Sequence, residues 1–106
     1  MGTTVDAVKA TSTTVYQVFI DNTANAGAPS YVKFFNLAQG SVVLGTTVPD
    51  EVIYVPAAAR ITQLLYTSAA PGKIFATALS AACVTTGGTA GTVAPTSSVV
   101  VTVNYT

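Results

Sequence analysis

Apolar and polar positions alternate with a period near two in short runs along the chain, each closed by Gly, Pro, Asn or Ser, and no run carries a 3.6-residue period. Period two puts successive side chains on opposite faces, so each run predicts a β-strand. The first clear run, Thr14 to Ile20, sets Tyr16, Val18 and Ile20 on one face and Val15, Gln17 and Phe19 on the other. It stops at Asp21-Asn22-Thr23-Ala24-Asn25-Ala26-Gly27, a loop by composition. Ser30 to Leu37 sets Val32 and Phe34 against Tyr31, Lys33 and Phe35, with Pro29 suited to the first position or an edge. Ser41 to Leu44, between Gly40 and Gly45, reads as a short strand or a turn. Pro49-Asp50 opens the run Glu51 to Val55, and Pro56 ends it. Arg60 to Tyr66 follows, with Ile61 and Leu65 on one face. Pro71-Gly72 then predicts a turn, Pro fixing φ at its second position and Gly accepting a positive φ at its third.

Lys73 to Thr85 is ambiguous, because Ala76, Ala78, Ala81 and Ala82 suit a helix as well as a strand. The alternation Phe75, Thr77, Leu79, Ala81, Cys83 and the lack of a charged helix face favour a strand. Thr85 to Ser98, uncharged and carrying Gly87, Gly88, Gly91 and Pro95, reads as a long exposed loop. Ser98 to Tyr105 alternates most cleanly: Val99, Val101, Val103 and Tyr105 face one way, Val100, Thr102 and Asn104 the other. With a further strand around Thr4 to Ala10, the pattern predicts an all-β fold. It is a two-sheet sandwich of seven or eight antiparallel strands with Greek-key or jelly-roll-like connections. Residues 1–12 form an N-terminal arm or edge strand and residues 13–106 a single β-sandwich domain. Gly45-Thr46-Thr47-Val48-Pro49 and Gly91-Thr92-Val93-Ala94-Pro95 share a spacing without matching strands around them, so they read as two similar loops.

Composition adds limits. At 106 residues and 10.7 kDa the chain holds one core. A compact monomer of that mass exposes roughly 5,500 Å². Charged residues make up 8% of the chain, against about 25% in an average soluble domain. Four Lys/Arg and zero net charge leave no basic surface for nucleic acid. Hydrophobic residues at 50% and a mean hydropathy of +0.56 argue for folding rather than disorder. No apolar run approaches the roughly 20 residues of a membrane helix, and the N-terminus lacks the pattern of a signal peptide or a myristoylation site. The single Cys83 cannot form an internal disulfide and fits synthesis in a reducing cytosol.

Few side chains offer chemistry. Without histidine, the titratable candidates are Asp6, Asp21, Asp50, Glu51 and Cys83. Asp50 and Glu51 are adjacent in a predicted strand and point to opposite faces, so they cannot share a substrate. Cys83 lies among Ala, Val and Thr, the setting of a small core residue and not of an activated thiolate. The oxygens of Asp21, Asn22, Thr23 and Asn25 lack the spacing of a calcium loop and read as a capped turn. Gly87-Gly88-Thr89-Ala90-Gly91 lacks the Lys and the following helix of a phosphate loop. No catalytic, cofactor or metal residue is therefore expected. Lys33, Arg60 and Lys73 read as solvated strand ends, with ion pairs to a scaffold as the alternative. Five Tyr and four Phe could line a sugar-binding face, but a core or interface role is more economical. Interface centres are poor in charge and rich in Tyr and Phe. The expectation is thus a subunit that buries Val/Ala/Thr-rich surface against copies of itself or a larger scaffold.

Val18-Phe19-Ile20-Asp21-Asn22-Thr23-Ala24-Asn25-Ala26-Gly27, Tyr31-Val32-Lys33, Gly45 to Asp50 ahead of Val55-Pro56-Ala57, Ala78 to Thr85 and the terminal Val-rich strand are similar to small virion proteins of tailed bacteriophages. That resemblance implies a non-enzymatic capsid decoration or cement subunit, in a trimer or other homo-oligomer, bound to the major capsid protein or other virion subunits. It would be made in the host cytoplasm and located in the virion, without nucleic-acid or membrane contact. A tail or neck component is the alternative, and a carbohydrate-binding adhesin a more distant one. In the cement reading, Gly2 to Ala10 and Thr85 to Ser98 are the segments expected to touch a neighbour.

Overall fold

The computed structural model describes residues 1–66 and 71–106. Eight strands run in chain order: β1 (Asp6–Lys9), β2 (Thr13–Asp21), β3 (Ser30–Phe35), β4 (Glu51–Val55), β5 (Arg60–Leu64), β6 (Lys73–Phe75), β7 (Leu79–Val84) and β8 (Val100–Tyr105). They form two antiparallel sheets of four strands, as the alternation predicts. The first has the order β1-β7-β3-β4. In the second, β5 and β8 both pair with Gln17 to Asp21 of β2 and so lie on its opposite edges, while β6 pairs with Thr13 to Val15. The exposed surface is 5182 Å², close to the compact-monomer expectation of about 5,500 Å².

The core lies between the sheets. Val32, Phe34, Ile53, Val55, Leu79, Ala81 and Cys83 face it from the first sheet, and Val15, Val18, Ile20, Leu65, Phe75 and Val99 from the second. Phe34 and Phe75 meet across the gap as a tilted ring pair with centroids 6.4 Å apart. Prolines punctuate as expected: Pro29 precedes β3, Pro49 lies ahead of β4 and Pro56 follows it. Gly72 takes φ +90° and donates its N–H to the Leu65 carbonyl (2.7 Å), while Pro71 bridges to Tyr66.

Two expectations differ from the structure. Val15 and Tyr16 exchange faces relative to simple alternation, Val15 being buried and Tyr16 exposed. The register shows why: Val15 pairs with Tyr105 and Gln17 with Asn104, so Tyr16 is an extra residue in a β-bulge and reverses the parity of β2. Lys73 to Thr85 is neither one strand nor a helix. It breaks at Ala76-Thr77-Ala78 into β6 in the second sheet and β7 in the first, and β7 sits between β1 and β3 with all six side chains buried. Of the two readings of Ser41 to Leu44, the turn holds: the segment takes up the end of a 3₁₀ turn (Gln39–Ser41) and forms no strand.

Met1 to Lys9 belongs to the sandwich. The Met1 ammonium donates to the Val99 carbonyl (2.7 Å), Val99 N–H returns a bond to Met1 (3.0 Å), and Cys83 N–H donates to Gly2 (2.8 Å) before β1 pairs with the edge of β7.

Candidate interaction interface

The charged side chains are held mostly by structural contacts. Asp21 accepts from the Thr23 hydroxyl (2.5 Å) and the Thr23 N–H (2.9 Å), and its second oxygen meets Arg60 Nε at 3.0 Å. These hydrogen bonds, the Thr23 hydroxyl first, lower its pKa to about 2. Asp50 caps the Asn36 N–H (2.6 Å), while Glu51 pairs with Lys73 (3.0 Å), so the two neighbouring carboxylates go separate ways. Arg60 and Lys73 therefore have partners inside the chain and are not simply solvated.

Lys33 departs furthest from expectation. Strand alternation puts Val32 and Phe34 in the core and turns Lys33 to the outer face of the first sheet, yet its side chain is 0% exposed. The cause is the segment 85–98, which folds back over that face. Lys33 Nζ donates to the carbonyls of Gly91 (3.1 Å) and Thr89 (3.4 Å), and Thr85 N–H closes the loop onto Val93 (2.9 Å). No carboxylate lies within ion-pair distance of Lys33 among the described residues. Burial accordingly pushes its pKa down. Gly91 is required in this loop because a Cβ there would collide with the Thr86 carbonyl oxygen. The two loops of similar spacing touch, since a Cβ on Gly45 would lie 2.6 Å from the Thr92 methyl.

At one end of the sandwich Asn22, Asn25 and Ser30 form a buried polar cluster. Asn22 Oδ1 accepts from Asn25 (2.9 Å) and Ser30 (2.8 Å), and Asn22 Nδ2 donates to Pro56 (3.0 Å) and Ala28 (3.3 Å). Asn25 exchanges bonds with the Ser97 backbone, both at 2.9 Å. These contacts tie three loops together and leave the Asn22 and Asn25 oxygens engaged, in keeping with a capped turn. A depression of about 360 Å³ beside it is lined by Ala24, Asn25, Ala26, Gly27, Ala28 and Thr96, none of them titratable. Cys83 is fully buried in the core, and burial raises its thiol pKa. Among the described residues no cluster of three His, Cys, Asp or Glu could hold a metal ion, and no helix is long and apolar enough to cross a membrane.

The outer face of the second sheet carries several exposed large apolar side chains. Its registers set out rows Arg60-Asp21-Val100, Thr62-Phe19-Thr102 and Leu64-Gln17-Asn104, with Tyr16 at the bulge and Ile74 beside Thr14. Exposure is 38% for Phe19, 41% for Tyr16, 46% for Leu64, 60% for Val100 and 65% for Ile74, and the Arg60 and Asp21 charges in this set pair with each other. The first sheet differs because the 85–98 loop covers its outer face at Lys33. Alternation put Phe19 on a face shared with Val15; the exposed set becomes legible only once the bulge is known. The chain matches no protein-family model, no curated protein and no solved structure.

Proposed function

We propose that this chain is a non-enzymatic virion structural protein, a decoration or cement subunit bound to the major capsid protein of a tailed-phage head. The observation that supports the subunit role is the open outer face of the second sheet, where Phe19, Tyr16, Leu64, Ile74 and Val100 are exposed among uncharged polar residues and one internally paired charge couple. Monomers with a single finished surface rarely leave large apolar patches uncovered. The placement of the charged groups supports the same reading, since Asp21, Glu51, Arg60 and Lys73 are paired and Lys33 is buried. The virion context comes from the phrases of sequence that resemble small phage structural proteins. Copy number per particle, measured by quantitative mass spectrometry of purified virions, tests it. Hundreds of copies are expected for a head protein; tens would move the chain to the tail or neck, and none would overturn the reading.

A further inference from the structure

We propose that β8 is a strand-addition edge that pairs with β8 of a second copy about a two-fold axis, joining the second sheets of two molecules into one. In β8, Thr106 N–H turns inward to Thr14, and Val100, Thr102 and Asn104 share its parity. Val99 turns outward, where Met1 pairs with it in both directions. By the same alternation Val101, Val103 and Tyr105 present their N–H and C=O groups outward, and β8 pairs with β2 alone among the described strands. β1 runs nearby but belongs to the other sheet; its links to β8 and Thr106 are side-chain contacts, Tyr105 Oη to the Val8 carbonyl (3.3 Å) and Lys9 Nζ to the Thr106 carbonyl (2.9 Å).

A row of outward amides and carbonyls calls for another strand edge. This chain's other edge strands are guarded. β1 carries Asp6, Lys9 and a register shift, β4 lies between Pro49 and Pro56 with Glu51 at its start, β5 begins at Arg60, and β6 is three residues long with Lys73. β8 has no charge, no proline and no extra residue. It also complements itself. Antiparallel pairing centred on Val103 sets Val103 against its own copy and Val101 against the copy's Tyr105, a β-branched residue facing an aromatic one, and opposes no like charges. The closed two-fold pair uses one patch on both molecules. It differs from the trimer that the resemblance implies, and it deepens the subunit reading: copy number on particles decides that reading, and the following experiment decides this one.

Amide hydrogen exchange is followed together with sedimentation over a hundredfold range of concentration of the intact chain. The expected result is a dimer at high concentration in which the Val101, Val103 and Tyr105 amides exchange more than about tenfold slower than in the dilute protein. The double variant Thr102→Lys/Asn104→Lys, altered only at exposed positions, should keep the melting temperature of the dilute parent, stay monomeric and lose that concentration dependence. A monomer throughout, a trimer or dimer with these three amides unprotected, protection independent of concentration, or an unaltered dimer in the double variant would each overturn the proposal.

Discussion

Lys33 and Cys83 are buried on opposite faces of the first sheet, and burial moves their pKa values in opposite directions, down for the amine and up for the thiol. For Lys33 the unfolded chain holds its proton up to the ordinary 10.5 while the folded chain releases it sooner, so its contribution to stability rises with pH through that window. For Cys83 the contribution is fully present below the ordinary 9.0 and is lost as pH climbs toward the raised folded value. Urea midpoints between about pH 8 and 10.5 should therefore show Cys83→Ala gaining stability with pH relative to the parent, and Lys33→Met losing that gain. Superimposable profiles would contradict both assignments. The Asn22 amide makes a second residue-scale case, since it holds Asn25, Ser30, Pro56 and Ala28 at once. Asn22→Ala should cost about 3 kcal/mol, because buried partners lose their bonds, and should lower Tm by more than about 10 °C in a melt followed by circular dichroism.

Among the elements, β3, β4 and β8 were readable as strands, β4 because Pro49 and Pro56 bracket it and β8 because its exposure alternates with its sequence, whereas the burial of Lys33 and Phe35 hides the alternation of β3. β2 was readable as a strand but its faces were not, since parity assumes unbroken pairing and the bulge at Tyr16 is visible only in the register with β8. β6 and β7 were fused because Ala76-Thr77-Ala78 breaks the run without Gly or Pro, and because the two halves join different sheets, a choice made by tertiary partners. Of the alanines that suggested a helix, Ala81 and Ala82 instead line a strand covered on both faces, and Ala76 and Ala78 fall in the break before it. The positive φ expected at Gly72 is met at +90°, which few other residues adopt, and a Cβ there would also lie 2.6 Å from the Thr14 methyl and 2.9 Å from the Tyr16 ring. Gly72→Ala should destabilise by about 2 kcal/mol in equilibrium unfolding, through backbone strain together with displacement of the bulged tyrosine.

At the scale of the molecule, the segments expected to reach for neighbours are both built into the sandwich: Met1 to Lys9 closes the β7 edge and the 85–98 loop seals Lys33. Deleting residues 2–9 is thus expected to remove much of the roughly 5–15 kcal/mol that holds such a domain together, read as a collapsed urea midpoint with increased dye binding and aggregation from the bared β7 edge. An unchanged midpoint would make the segment a free arm after all. The candidate surface was only half legible for the same reason: a shortage of charge can be counted along a chain, whereas which sheet keeps an open face depends on where a loop without regular structure comes to rest. Of the pairings among the described strands, only β3 with β4 joins neighbours in sequence, while β1 waits for β7, β2 for β8 and Met1 for Val99. Loop-closure entropy must be spent before such distant contacts return anything, which points to refolding in milliseconds to seconds rather than microseconds. On the ribosome, β2 stays without its β8 partner until β8 emerges.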